Sequence, residues 1–221
     1  MTDHDFRVEY FKNNFEAFFD YHFGWENKVK FHHRWARQLQ SRNNLIWEAF
    51  RGSRKTTMVR GYVVWCAAYN VEPYIIVQSY EGKLSGEWVR NVAKMLMQDS
   101  ILKDYGMLFP LNIKREDLSK SSVTSFEATT GVKIESKSLG EVLRGANDYQ
   151  INIGSSRPTL LIVDDIDVSD SVKNIRIINE NEKKINGETI GSLDQFRRRV
   201  ILLGNTIAED GILPRFKKAH K

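Results

Sequence analysis

Cysteine is nearly absent from this sequence, and long apolar runs are absent altogether. Cys66 is the single cysteine among 221 residues, so no intrachain disulfide can form and a reducing cytoplasm is the expected environment. No apolar stretch approaches the roughly 20 residues that cross a bilayer. The polar start of the chain lacks the pattern of a signal sequence, and internal repeats and low-complexity segments are missing too. These absences favour a globular protein without a membrane-spanning segment.

The charge balance is modestly basic. Lysine and arginine number 33 against 28 aspartate and glutamate residues, a formal net charge of +5. This surplus permits a polyanionic partner such as nucleic acid but does not establish one. The length fits one α/β domain, or one domain with a small appendage, and is sufficient to bury a sizeable core.

A candidate phosphate-binding loop follows the first predicted strand. The apolar run at residues 45–47 leads into a small basic turn, and a helical pattern begins at Lys55. In phosphate-binding loops of this layout a lysine reaches the β/γ oxygens and the next Ser or Thr hydroxyl holds magnesium, the roles that suit Lys55 and Thr56. The full pattern also requires two glycines, where this chain has Ala49 and Arg54. A basic turn that caps an ordinary helix is therefore the competing interpretation.

The residues after this loop alternate between helical and strand patterns. Residues 55–69 form a predicted crossover helix, residues 73–79 a continuous apolar strand, and residues 85–101 a second helix. A strand without polar alternation is typical of a parallel sheet covered on both faces. The alternation predicts a doubly wound α/β domain with a mainly parallel sheet.

Other segments complete the predicted organisation. An aromatic, amphipathic helix over residues 5–25 and a short helix over 31–40 form an N-terminal segment, 1–40, that packs on a main domain, 41–221. A charged surface loop is expected at residues 114–120. An antiparallel hairpin with its turn at Gly131 joins residues 122–129 to 132–138.

Two later strands end in polar residues. The apolar run before Asp164 and Asp165 ends abruptly in carboxylates, which are costly to bury without a cation or water. Residues 199–206 form another strand, with a polar tip at Asn205 and Thr206. Ligands bind at the carboxyl ends of strands in open α/β sheets, so a Mg-nucleotide site is expected there. A strand that simply ends in a solvated acidic turn is the alternative.

Together these segments resemble the ATPase domain of the large terminase subunit of tailed bacteriophages, from about Phe31 to about Phe216. Residues 50–57 resemble its Walker A motif, residues 160–165 its Walker B motif, and residues 203–206 its coupling motif. The resemblance implies a P-loop NTPase fold of the ASCE type that hydrolyses ATP with magnesium. It implies ATP contacts from eight loop or coupling residues, namely Arg51, Gly52, Ser53, Arg54, Lys55, Thr56, Thr57 and Asn205.

The resemblance also implies roles for individual residues. Lys55 would neutralise the phosphates, and Thr56 and Asp164 would hold magnesium. Asp165 stands where the family usually has the glutamate that polarises the attacking water, with Asp167 as a possible helper. Arg144 is the candidate arginine that reaches a neighbouring subunit's ATP, and Arg157 competes with it. The adenine-contacting glutamine would be Gln38 or Gln40.

The implied partners are double-stranded DNA, a portal, a small terminase subunit and further copies of the chain in a ring, in the cytoplasm of an infected bacterial host. The family's nuclease domain has no room here, and the basic end of the chain suggests a truncation, so an engineered fragment or a nuclease-less product is expected. Two other interpretations stay open. One is a degenerate nucleotide-binding fold that acts as a DNA-binding or assembly module, and the other is a helicase-type ATPase.

Overall fold

The computed structural model describes residues 2–25, 27–110, 114–139, 141, 157–167, 174–205, 207 and 209–219, with the side chains of 119 and 120 left out. These residues form a six-stranded sheet with helices on both faces. The strands are β1 Leu45–Glu48, β2 Tyr74–Ser79, β3 Ser125–Glu127, β4 Lys133–Ser138, β5 Leu160–Asp164 and β6 Arg199–Gly204. The α-helices are α1 Asp3–Lys12, α2 Phe15–Phe23, α3 Lys30–Gln40, α4 Lys55–Tyr69, α5 Gly82–Leu96, α6 Asp99–Tyr105, α7 Ile175–Lys183 and α8 Ile212–Ala219.

The sheet has the order β1-β6-β5-β2-β4-β3, and every neighbouring pair is parallel except β3 and β4. Strands β2, β5 and β6 are buried along their whole length. This burial explains the continuous apolar run inside each of them, because helices cover both faces of a parallel sheet. The predicted α/β class with a mainly parallel sheet is confirmed at this level.

Alternate residues of the same strands contribute to two hydrophobic clusters. Ile75, Ile162 and Ile201 belong to the cluster that includes the N-terminal helices and α4, whereas Ile76 and Leu161 belong to the cluster that includes α7 and α8 residues. This division follows from the two-residue period of a strand, which sends successive side chains to opposite faces. The aromatic residues of the N-terminal segment therefore contribute to the core of the sheet domain.

Two long helices predicted from the sequence are each interrupted. The single helix predicted over residues 5–25 is wrong, because α1 ends at Lys12 and Asn14 caps the N-terminus of α2 by accepting a hydrogen bond from Ala17 N at 3.0 Å. Asparagine competes for backbone partners in this way and favours helix starts over helix interiors. The helix predicted over 85–101 likewise separates into α5 and α6.

The middle of the chain contains the predicted hairpin. Strands β3 and β4 pair antiparallel, and Gly131 in their turn has φ of 89°, a conformation that glycine adopts without strain. The charged segment expected as a loop instead forms a 3₁₀ helix over Arg115–Lys120. Among the described residues, no helix combines the length and apolar character needed to cross a membrane.

Candidate nucleotide site

Three parallel strands bring polar residues to one edge of the sheet. Strand β1 leads into the loop at residues 49–54, β5 ends in Asp164, and β6 is followed by Asn205. Since β6 lies between β1 and β5, Asn205 is positioned between the loop and the carboxylates. The carboxyl edge of a parallel sheet is where open α/β folds bind ligands.

The loop has two residues with left-handed backbone. Gly52 has φ of 89°, which explains the glycine at that position. Arg54 is the N-cap of α4 with φ of 61° and ψ of 21°, a conformation that costs a non-glycine residue roughly 1 kcal/mol. The sequence pattern that expects glycine at position 54 thus matches the backbone, although the residue is arginine.

The buried side chain of His32 hydrogen-bonds to the loop at residues 49–54. His32 Nδ1 accepts a hydrogen bond from Val29 N at 3.1 Å, so Nε2 carries the proton and donates to Ser53 O, also at 3.1 Å. Burial lowers the pKa of His32, which favours this neutral form. The contact fixes the carbonyl that precedes the N-cap of α4.

Two side-chain contacts link the first turn of α4 to the strand ends. Lys55, only 6% exposed, donates from Nζ to Asn205 Oδ1 at 2.9 Å. Thr56 donates from Oγ1 to Asp164 Oδ2 at 2.8 Å. The structure therefore brings together the loop before α4, the end of β5 and the residue after β6, as the sequence predicts.

Asp164 is a buried carboxylate with unequal oxygens. Its Oδ2 also accepts a hydrogen bond from Trp88 Nε1 at 3.1 Å, whereas Oδ1 is buried and has no protein partner within the described part of the chain. Burial raises the pKa of Asp164 to about 6; the charge of Asp165 adds to the rise, and hydrogen bonds from Thr56 and Trp88 oppose it. A buried acceptor without a partner is costly unless it binds a cation or water.

These oxygens fit a magnesium ion. Magnesium prefers hard oxygen ligands, keeps several waters, and is usually held by one or two carboxylates plus substrate phosphates. The Thr56 hydroxyl and the Asp164 carboxylate, with its unpartnered Oδ1, supply ligands of this kind.

The two aspartates that follow have different environments. Asp165 is exposed, has φ of 50°, and lines the cavity in front of the loop. Asp167 also lines this cavity, but its two oxygens accept hydrogen bonds from Ile212 N and Leu213 N at 3.1 Å each. Asp167 thus caps α8 by accepting from these two backbone donors, and its assistance to Asp165 stays a prediction.

A cavity of about 560 Å³ unites these residues. Most of the predicted ATP contacts line it, namely Arg51, Gly52, Arg54, Lys55, Thr56, Thr57 and Asn205, together with Asp165. Ser53 is buried behind the loop, with its hydroxyl unpartnered in the described structure.

Other predicted site residues lie elsewhere. Neither candidate glutamine lines the cavity: Gln38 Oε1 accepts a hydrogen bond from Trp47 Nε1 at 3.1 Å, and Gln40 Oε1 accepts one from Phe15 N at 3.3 Å. Arg157 precedes β5, at the opposite edge of the sheet. Arg144 and Thr206 lie outside the described residues.

Trp88 and Arg60 are site residues that the sequence did not reveal. Trp88 fits the helical spacing of a core residue, and only the structure shows its indole N–H directed at Asp164. Arg60 lies against the Trp88 ring, 5.3 Å from guanidinium carbon to ring centre, close enough to Asp164 and Asp165 for their charges to interact. No local motif marks either residue.

A second cavity, of about 350 Å³, shares Gly52, Ser53 and Arg54 with the loop. Trp25, Phe31 and Phe50 contribute aromatic rings to its lining, and the Arg54 guanidinium carbon lies 5.6 Å from the centre of the Trp25 ring. The N-terminal segment, expected only to pack on the main domain, therefore also supplies surface beside the loop at residues 49–54.

Comparison with known protein families finds no matching family model, and comparison with curated proteins finds no match either.

Proposed function

We propose that this chain is an ATP-hydrolysing motor domain of the terminase large-subunit kind, with a P-loop NTPase fold of the ASCE type, which drives double-stranded DNA into a procapsid. The observation that carries the proposal is the joined pair of contacts from Lys55 to Asn205 and from Thr56 to Asp164 beside one polar cavity. A lysine, a hydroxyl and a carboxylate at one strand edge are the groups that phosphoryl transfer from a Mg-nucleotide requires.

Each residue has a distinct role in this proposal. Lys55 neutralises charge on the β/γ-phosphates, and the exposed backbone of Gly52 and Arg54 faces them. Thr56 and Asp164 hold magnesium, which when bound offsets the negative charge that develops on the transferring group. Asp165, at the cavity wall, orients the attacking water. Asn205 contacts Lys55 and so lies where the terminal phosphate would be sensed.

The wider assignments depend on the same proposal. Double-stranded DNA is the proposed polymer, a portal and a small terminase subunit are the proposed partners, and a ring of copies in the host cytoplasm is the proposed assembly. In that ring Arg144 would reach a neighbour's nucleotide; such an arginine contributes roughly 10³ to 10⁵ in rate.

The test is ATP hydrolysis by the wild type and by Lys55→Ala, measured as phosphate release at high protein concentration with DNA present. We expect Lys55→Ala to lose at least about 100-fold, because a preorganised charge at the reacting group is removed. Lys103→Ala, an exposed lysine of α6 outside the cavity, is the matched control and should hydrolyse at the wild-type rate. Equal rates for the wild type and Lys55→Ala would refute the motor assignment.

A second candidate is a degenerate nucleotide-binding fold that acts as a DNA-binding or assembly module without turnover. The observation that favours it is Arg54, whose side chain stands at the left-handed position where phosphates need close approach of the backbone. Calorimetric titration with Mg-ATP separates the two candidates. Absence of binding in the wild type that is restored in Arg54→Gly supports the module, whereas wild-type binding and Lys55-dependent turnover support the motor.

A further inference from the structure

A turn before β6 presents an aromatic ring and two arginines to solvent. Residues 195–198, here called the arginine turn, comprise Gln195, Phe196, Arg197 and Arg198. Phe196 is 94% exposed, and both arginines are exposed. Because β6 begins directly after the turn and ends just before Asn205, the turn lies at the sheet edge opposite the nucleotide cavity. It is therefore a separate surface.

The turn is held in a fixed conformation. Asp194, which is 8% exposed, accepts hydrogen bonds through Oδ1 from Phe196 N at 2.9 Å and Arg197 N at 2.8 Å. Its own backbone N–H donates to Pro158 O at 2.9 Å. On the other side, buried Arg199 donates to Tyr62 Oη and to Asn43 O. A rigid presentation reduces the entropy that a ligand contact must overcome.

The charge of the turn is uncompensated. Within the described ranges of the chain, neither Arg197 nor Arg198 has an ion-pair or side-chain hydrogen-bond partner. Arg42 and Glu72, which lie beside them, pair with each other at 3.0 Å and cancel in charge. Two free guanidinium groups next to an exposed ring form a surface that suits an anionic ligand with apolar faces.

We propose that the arginine turn contacts the phosphate backbone of double-stranded DNA, an inference that rests on the proposed function for the choice of polymer. Guanidinium groups bind phosphate through paired hydrogen bonds, and consecutive arginines can reach successive phosphates. Phe196 lies against sugar or base surface beside them, as apolar side chains of DNA-binding proteins do. The net charge of +5 favours a polyanion over a neutral partner.

The experiment is fluorescence anisotropy with a labelled 30-base-pair duplex, without nucleotide, across a salt series. We expect Arg197→Ala/Arg198→Ala to bind at least about tenfold more weakly at low salt, with the slope of log affinity against log salt smaller by about 1.8, since each lost phosphate contact removes about 0.9. Phe196→Ala should weaken binding several-fold and leave the slope unchanged, because it removes no charge.

The matched control is Lys114→Ala/Arg115→Ala, which removes the same charge from the exposed start of the 3₁₀ helix Arg115–Lys120, away from the turn. It should bind like the wild type. Wild-type binding by the turn variant, equal losses in the turn and control variants, or no duplex binding by the wild type would each overturn the proposal. Competition by polyglutamate as effective as that by duplex, at equal charge, would also overturn it and indicate an acidic protein partner.

Failure of this inference and failure of the motor assignment are distinguishable. If hydrolysis depends on Lys55 and the turn variant binds duplex normally, the DNA contact of the arginine turn is refuted and the motor assignment stands. If the turn variant loses duplex binding and no sample shows Lys55-dependent hydrolysis, the DNA contact stands and the motor assignment is refuted.

Discussion

Asp164 is the residue where burial and charge conflict most directly. Its pKa is raised to about 6 from the ordinary value of 3.8, first by burial and then by the charge of Asp165. At neutral pH the group is mainly ionised, in a place where, among the described residues, only Thr56 and Trp88 donate to it. This arrangement weakens the folded protein and strengthens the attraction for a cation.

The first prediction from this residue concerns stability and pH. Because the folded pKa exceeds the unfolded one, the folded protein binds more protons between about pH 4 and 6, so this group's contribution to the free energy of unfolding falls as pH rises through that window. The total fall is about 3 kcal/mol. The Asp164→Asn variant should lack this fall in the free energy of unfolding, as measured by chemical denaturation at a series of pH values.

His22 also changes the free energy of unfolding with pH, so the effect of Asp164 has to be measured as a difference between the wild type and Asp164→Asn. Burial lowers its pKa to about 4 from 6.5, so its contribution to stability rises with pH across much of the same window. The two slopes oppose each other in the wild type, and only the comparison with Asp164→Asn isolates the carboxylate. Parallel pH curves for the two proteins would contradict the assignment of the raised pKa to Asp164.

Arg54 permits a second prediction at the residue scale. Arg54→Gly and Arg54→Ala both remove the guanidinium that lies over Trp25, but only glycine relieves the left-handed backbone at φ of 61°. Arg54→Gly should therefore be more stable than Arg54→Ala by about 1 kcal/mol. Thermal or denaturant unfolding measures the difference, and equal stability would show that this backbone carries no strain.

At the scale of elements, α2 and α4 approach each other through a glycine. A Cβ atom at Gly61 would lie 2.3 Å and 2.4 Å from atoms of the Phe19 ring, and Phe19 is itself packed between Phe15, Phe23 and Trp25. Glycine inside a helix lowers its propensity by about 1 kcal/mol. The close packing of the aromatic segment explains its presence here.

The element-scale prediction is that Gly61→Ala destabilises the protein by about 1 to 3 kcal/mol, because overpacking exceeds the gain in helix propensity. Adding Phe19→Leu to Gly61→Ala should recover part of the loss by making room. Gly187→Ala is the control, since nothing lies within 4 Å of its added Cβ. A stabilised Gly61→Ala variant would show that α2 shifts away without cost.

At the scale of the whole molecule, the parallel strands β1, β2, β5 and β6 were predictable because each contains an apolar run that leads into polar residues. The parallel pairing of β4 with β2 was not, because the β4 sequence is mostly polar. Leu160–Asp164 is five buried residues ending at a carboxylate, and Arg199–Gly204 leads to Asn205. The meeting of Lys55, Thr56, Asp164 and Asn205 followed from strand direction alone, since carboxyl ends of parallel strands share an edge.

Other features depended on contacts between residues distant in sequence. Trp88 and Arg60 lie in predicted helices, and the residues around them in the sequence give no sign that the two side chains lie close to Asp164. The capping contact of Asp167 could not be predicted, because a carboxylate near a strand end suits both catalysis and capping, and only the position of α8 reveals the contact. Helix α7, with the π-helical turn at Lys184–Thr189, was not predicted.

Two side-chain hydrogen bonds connect strand β6 to helix α4, and they lie far apart along both elements. Near one end, Tyr62 Oη accepts a hydrogen bond from Arg199 at 2.5 Å, and near the other Lys55 donates to Asn205 at 2.9 Å. The seven residue steps from Lys55 to Tyr62 along the helix span about 10 Å, and the six steps from Arg199 to Asn205 along the strand span about 20 Å. Helix and strand are thus joined by hydrogen bonds at both ends, and sliding of one along the other would break at least one of these bonds.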